Sequence, residues 1–533
     1  MVKKIKNLIL GLIFILFQNC QSVQKINQHI DTPLSVKKIH KDIDFVQYKL
    51  FKLHPSLDLY ISSKDLKFKF DSLKRSIKEP LKPNEFYLGI SKVVASVRQG
   101  HTIIQPLYKQ IDSNKLKVLK KRGVYPLSLF SFSYINNELI ITQNYSKDPT
   151  IKVGTVVKSI QGITPQFLFT KYAGTEASDG YNQTYYNRAF ANKVVHYFKL
   201  EKIVIDSIQV DLLYKDSVYK KLLTRVALTK GFKKEIAKKP IDSIKKVSKR
   251  QKEAKLLKER QLEIKKTIFG YDEIKKEFTR QLLYPAKDSS FAVLRIKKFV
   301  GGKQLKAYQI LFKEINTKKI NTLVLDLRNN GGGSIEEIQN LFTYISPDFV
   351  NFVDTLKVTN RTSLTTNMFR NVPKGILISL GPIIVPYAIR NLFSIKKSPR
   401  GFYYQKSKLT NRLQPKDNNY QGKLYVLIDG GSFSASSVLS ANLQNIKRGI
   451  FVGEETGGAF NSTVAGTLPV LTLPYSKLKF RVGMMEIGVI KKSPIKGRGV
   501  MPEIILSPKK EDYQNHLDVE LQWIANKEGQ VLK

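Results

Sequence analysis

Leu323-Val324-Leu325-Asp326-Leu327-Arg328-Asn329-Asn330-Gly331-Gly332-Gly333-Ser334 is the stretch from which the fold is read. It opens as an apolar run of buried-strand length and ends as a glycine loop. Consecutive glycines leave backbone N–H groups free to turn toward a site. The loop lacks the Lys-Ser/Thr ending of a nucleotide P-loop, which argues against a nucleotide. A plain tight turn and a set of donors for an oxyanion both stay open. A second strand–loop pair lies about a hundred residues on. Leu424-Tyr425-Val426-Leu427-Ile428 is followed by Gly430-Gly431-Ser432-Phe433-Ser434-Ala435-Ser436-Ser437. A serine where a strand passes into a helix sits in the positive end of the helix dipole, which favours an alkoxide. Serines also cap helices, so this loop alone decides nothing.

Working outward, Ala292–Ile296 and Ile450–Val452 read as further buried strands. Leu305–Ile315, Ile335–Ile345 and Ser434–Asn445 read as helices between them. Strand–helix alternation over 290–510 predicts an α/β layered domain. Residues 33–100 carry apolar residues at helical spacing, with Pro55 between two runs and Gly100 expected to end the last helix before a strand at Thr102-Ile103-Ile104. Residues 124–225 show short β-type runs: Leu127–Phe132, Leu139–Ile141, Val156-Val157 and Ile203–Ile205. Residues 226–285 are dense in Lys, Arg and Glu and read as an exposed helical linker.

Five motifs then occur in order: Gly100-His101-Thr102, the glycine loop, Ser432-Phe433-Ser434-Ala435-Ser436-Ser437, Val452-Gly453-Glu454-Glu455-Thr456-Gly457-Gly458, and Gly499-Val500-Met501-Pro502-Glu503. The series resembles the tail-specific (C-terminal-processing) serine proteases and their tricorn-like, histidine-dependent relatives. It is densest over 290–505. The resemblance implies a multidomain α/β protein with a crotonase-like (ClpP/crotonase) catalytic domain, an N-terminal helical domain and a PDZ-like β-rich module. The last is suggested by Ile151–Gly162. It implies the boundaries 1–20 signal peptide, 21–118 helical domain, 119–225 PDZ-like module, 226–285 basic linker and 286–533 catalytic domain.

Carried over residue by residue, the resemblance makes Ser434 the nucleophile and the N–H groups of Gly332 and Ala435 the oxyanion hole. Many members have a lysine base after the Glu-x-Thr-x-Gly turn; Ala459 stands there, so a Ser–Lys dyad is not expected. Of six histidines, His101 alone sits in a Gly-His-Thr setting, and a neutral imidazole suits a general base. Its orienting acid stays open among Glu503, Glu486 and Glu455, with Glu454 a further candidate; Lys496 stands near the position where relatives often place a glutamate. The implied activity is a serine endopeptidase on envelope proteins or peptides. The competing reading is an inactive peptide-binding lipoprotein that keeps the fold.

The N-terminus has a basic start, Met1–Lys6, and an apolar run, Leu8–Phe17, too short to span a bilayer comfortably. Cys20, the one cysteine, follows directly, which resembles a lipoprotein anchor and excludes an internal disulfide. A periplasm-facing, lipid-anchored protein of the outer membrane is expected. The net charge is +47, spread along the chain without a zinc-knuckle or other nucleic-acid motif, so no nucleic-acid partner is expected. No metal or other cofactor is implied.

Overall fold

The computed structural model describes residues 22–203, 206–227, 249–364 and 381–533. The signal segment, Cys20, Val204-Ile205 and residues 228–248 of the basic linker lie outside them.

Four helices open the chain: α1 (Val23–Asp31), α2 (Val36–Leu53), α3 (Ser63–Ser76) and α4 (Pro83–Ala95). Ile39, Ile43, Val46 and Leu50 place one face of α2 in the core. The expected helix end at Gly100 is displaced: α4 stops at Ala95 and Arg98 turns the chain with φ +55°. Gly100 has a different duty, described below. Strand β1 (Ile103–Gln105) and helix α5 (Ser113–Arg122) follow.

A five-stranded antiparallel sheet comes next. Its strands β2 (Phe130–Ile135), β3 (Glu138–Asn144), β4 (Val156–Ile160), β5 (Ile208–Tyr214) and β6 (Ser217–Leu223) run in that spatial order. Helices α6 (Pro165–Tyr172) and α7 (Thr184–Glu201) interrupt it. The 18-residue α7 has no counterpart in the β-type reading of 124–225. Its Tyr/Phe/Val content favours strands by propensity, and tertiary packing of Phe190, Val194 and Phe198 against the sheet overrides that. The expected strand at Ile203–Ile205 is not formed at Ile203; the strand begins at Ile208.

Helix α8 (Lys249–Phe269) ends the basic region and the hairpin β7 (Tyr271–Asp272) and β8 (Glu277–Phe278) follows it. The central sheet then starts earlier than the boundary at 286, because β9 (Arg280–Leu283) pairs antiparallel with β10 (Phe291–Ile296). Arg280, expected on an exposed linker, is 1% exposed. Helix α9 (Gln304–Thr317), β11 (Thr322–Asp326) and α10 (Ile335–Thr343) come next. Then β12 (Val350–Asn351), β13 (Leu356–Val358), helix α11 (Gly381–Ser394), β14 (Ile395–Lys397), β15 (Tyr403–Gln405) and β16 (Arg412–Leu413) lead to β17 (Lys423–Ile428). The chain finishes with α12 (Ala435–Asn445), β18 (Ile450–Gly453), β19 (Ser462–Ala465), β20 (Val470–Thr472), β21 (Lys479–Arg481), β22 (Met485–Gly488), β23 (Ile504–Ile505), α13 (Lys510–Gln514) and α14 (Val519–Lys527).

The central sheet has the order β23-β18-β17-β11-β10-β9 and is parallel except for β9. Side chains alternate across it. Leu323 and Leu325 join the large core shared with the N-terminal helices, while Val324 joins a smaller cluster with Leu521 and Ile524 of α14. A second sheet, β14-β15-β13-β22-β19, is antiparallel, and β12 pairs with β16. A three-stranded sheet joins β1 to β21 and β20, with Ile103 opposite Arg481. This pairing docks the N-terminal region on the central domain.

Arg280 anchors the start of that domain. Its Nε donates to Glu337 Oε1 at 2.7 Å, Tyr308 Oη donates to the same oxygen at 2.8 Å, and Arg280 Nη1 donates to the Gly301 carbonyl at 2.8 Å. Arg280→Ala would strand the Glu337 carboxylate in the core and cost on the order of 3–5 kcal/mol in urea unfolding. Arg280→Met/Glu337→Leu should recover much of that loss; equal loss in both variants would show that the ion pair is not what holds this corner.

Candidate active site

Three neighbouring parallel strands end at the same edge of the central sheet. β11 runs into the glycine loop, β17 into the serine loop and β18 into the Glu454–Gly458 turn. The register Asp326↔Leu427 sets the first two loops side by side. The carboxyl ends of parallel strands are where such folds gather their chemistry.

Ser434 sits between β17 and α12 with φ +56° and ψ −119°. A non-glycine residue in the left-handed region is strained, and the strain turns the hydroxyl out of the helix axis. The His101 Nε2 to Ser434 Oγ distance is 2.9 Å. The Phe433 ring packs on the His101 ring at 5.2 Å, and Tyr185 on Phe433 at 5.2 Å. A Cβ on Gly100 would lie 2.6 Å from both Phe433 Cζ and the Ala177 carbonyl. Gly100 is therefore needed for space, so that the histidine turn can reach the serine loop. Burial, and then the Arg481 charge, lower the His101 pKa to about 4. The imidazole is thus neutral at pH 7, the form that accepts a proton.

The glycine loop abuts the serine. A Cβ on Gly332, whose φ is +98°, would lie 2.8 Å from Ser434 Cβ and 2.8 Å from Ala435 N. Ala435 opens α12, so its N–H is one that the helix leaves without an internal partner. The Gly332 N–H is differently placed from the expectation, because it donates to Asn330 Oδ1 at 2.9 Å. Asn330 fastens both loops: its Nδ2 donates to the Ile296 carbonyl, and its own carbonyl accepts from Phe433 N. A buried asparagine after an Asp-Leu-Arg strand end was visible in the sequence, but nothing there marks it as the tie between loops.

Residues 290–506 match the family model Peptidase family S41. Over that stretch the chain is similar to the tail-specific S41 proteases. S41 is a serine-protease family acting on proteins. The Tail-specific protease of Haemophilus influenzae is 25% identical over 169 residues, covering 32% of this chain and 17% of that protein. The chain thus matches less than a fifth of the length of this curated relative. Among solved structures, mature CPAF is 12% identical with a TM-score of 0.57, covering 93% of this chain and 99% of that one. Mature CPAF complexed with lactacystin is 13% identical with a TM-score of 0.59, covering 92% and 97%. At such identities the likeness is one of fold.

The acids considered for His101 lie elsewhere. Glu455 is held by Arg498 at 2.7 Å and by the Gly499 N–H at 2.7 Å. Glu503 accepts from Phe451 N at 2.7 Å, Glu486 accepts from the Ser56 hydroxyl, and Glu454 accepts from Arg188 at 3.0 Å. Among the described residues, no hydrogen bond joins His101 to any of these four. Ala459, where many S41 members have lysine, is buried and bridges to Gly499.

A carboxylate absent from the sequence-based candidates holds the histidine turn instead. Asp179 is 1% exposed. Its Oδ1 accepts from Gly100 N at 2.8 Å, its Oδ2 accepts from Thr463 Oγ1 at 3.0 Å, and the Ala459 N–H adds a further donor. Asp179 N donates to the Gly457 carbonyl, as does Asn182 Nδ2 at 2.9 Å. One residue therefore binds the histidine turn to the loop beside the serine. Burial raises the Asp179 pKa to about 7 against these stabilising donors. No motif surrounds Asp179, so only the fold identifies it.

Two expectations follow. With His101 as the base, the acidic limb of the pH–rate profile with an activated ester should lie near pH 4, not near 6.5; a midpoint at 6.5 would contradict that role for a buried imidazole. Asp179→Asn keeps an oxygen for the Gly100 N–H and should stay within a few-fold of the parent, whereas Asp179→Ala should lower kcat/KM by about 10- to 100-fold, the worth of a charge-assisted hydrogen bond. Equal rates for both variants would remove the positioning role.

Proposed function

We propose that the chain is a serine endopeptidase of the bacterial envelope, forming an acyl-enzyme on Ser434 with His101 as general base. The observation that carries this is the 2.9 Å His101–Ser434 contact at a strained strand-to-helix turn. His101 Nε2 accepts the Ser434 proton as Oγ attacks the scissile carbonyl. The proton then passes to the leaving amine, whose C–N bond breaks. A water, deprotonated by the same nitrogen, hydrolyses the ester and returns the serine. Ala435 N–H is the ready oxyanion donor. Gly332 N–H joins it when the oxyanion displaces Asn330 Oδ1, so this donor is recruited by charge that develops in the transition state.

Among the described residues no carboxylate is hydrogen-bonded to His101. Its orientation comes from the β1–β21 pairing, from Arg481 Nε donating to its carbonyl at 3.0 Å, and from the Phe433 ring. The central domain is read as crotonase-like and residues 119–225 as a PDZ-like module. In that module α7 packs directly on β2, so tail capture in the β2–helix groove would require a shift of α7. The envelope location and a lipid at Cys20 rest on the N-terminal sequence. Among the described residues no helix is long and apolar enough to cross a membrane.

A fluorophosphonate probe tests the reading. Labelling of the folded chain should vanish in Ser434→Ala and slow by about 10²- to 10⁴-fold in His101→Ala. Folded protein that takes no label between pH 5 and 9 would instead favour the inactive, peptide-binding alternative, with Gly332 N–H held permanently by Asn330.

A further inference from the structure

After β13 the chain leaves its five-stranded sheet and returns to it as β14, the edge strand beside β15. The excursion carries α11. Three large apolar side chains stand out from this helix at every fourth position: Val385 is 55% exposed, Ile389 47% and Phe393 73%. That spacing puts them on one face, and a row of this kind in water marks a contact surface.

The segment that carries the row has charge of a single sign. From Thr355 to Lys416 the sequence has no Asp or Glu, and it has twelve Lys or Arg. Six of these, Arg390, Lys396, Lys397, Arg400, Lys406 and Lys408, lie on α11 or in the strands and turns that follow it. All six are exposed. No ion pair is formed by any of the six among the described residues. Elsewhere in this lysine-rich chain, acids are interspersed and ion-pair the cations, as Glu314 does with Lys318 and Glu263 with Lys266. The lack of acids within the segment that carries the exposed apolar row is therefore local to that segment.

Charge complementarity selects the occupant. A surface with many unpaired cations and an apolar ridge, but no acids to fix a register, matches a diffuse anionic plane better than a folded partner with a set pattern of charges. We propose that α11 with β14 and the β15 region is a peripheral membrane contact. The Val385–Ile389–Phe393 row enters the headgroup boundary of an anionic bilayer, and exposed cations of the same segment meet its phosphates. This contact is separate from a lipid at Cys20 and from the chemistry at Ser434.

Flotation of the unlipidated chain from residue 21 onward, which holds every described residue, tests it. The vesicles are phosphatidylcholine alone or with about 30% phosphatidylglycerol, at about 50 and 300 mM salt. The chain should float with the anionic vesicles, more weakly at high salt, and not with the neutral ones. Ile389→Ser/Phe393→Ser should lower the partition by about tenfold or more. Lys396→Gln and Lys397→Gln should each lower it by about fivefold and flatten its salt dependence. Thermal melts report whether each variant is folded, and Phe393→Ser alone, at the most exposed position, serves if the double variant is not. No flotation with anionic vesicles would overturn the proposal, as would flotation unchanged by the serine variants. A concentration-dependent dimer that the same variants abolish, with vesicles unbound, would overturn it and assign the row to a second copy of the chain.

Discussion

The hydrogen bond between Ser434 and His101 joins positions 333 residues apart. Closing a loop of that length carries an entropic cost that no local preference repays. The contact exists because larger surfaces bring the two segments together. The β1–β21 pairing, the shared core of the N-terminal helices and the central sheet, and the docking of Asp179 and Asn182 on Gly457 all act on the same joint. The contact is thus a reporter of interdomain packing.

Glycine serves this joint through shape. Gly430 faces the Thr184 carbonyl, where a Cβ would lie 2.1 Å away, and Gly457 faces the Gly430 carbonyl at 2.2 Å. Backbones approach closely only where side chains are missing. The α7 end is held by charge as well: Arg188 is 3.0 Å from Glu454 and 3.6 Å from Asp429, whose carboxylate also accepts from the N–H groups of Asn329 and Gly431. A helix from outside the central domain thus reaches both loops.

The parallel sheet and its two loops could be read from the sequence because each rests on local pattern, and the pairing of Ser434 with His101 was expected from the order of the motifs. Continuous apolar runs give the strands, and glycine and serine clusters after them give the loops. What could not be read depends on distant contact. Helix α7 has strand-like composition and becomes helical through packing. Arg280 lies in a charge-dense stretch and is buried only because Glu337 meets it. Asp179 stands in no motif and gains its part from a carboxylate reaching the Gly100 N–H. The acids proposed for His101 were chosen by proximity to motifs, and each proves to be engaged with a partner of its own.

Strand β1 has its hydrogen-bonding partner in β21, which lies nearly four hundred residues later. During synthesis the histidine is made first, but its strand remains unpaired until most of the chain has followed. A nascent polypeptide carries His101 with no Ser434 opposite it. The His101–Ser434 contact is therefore coupled to synthesis of the segment up to β21, which the order of the sequence places late.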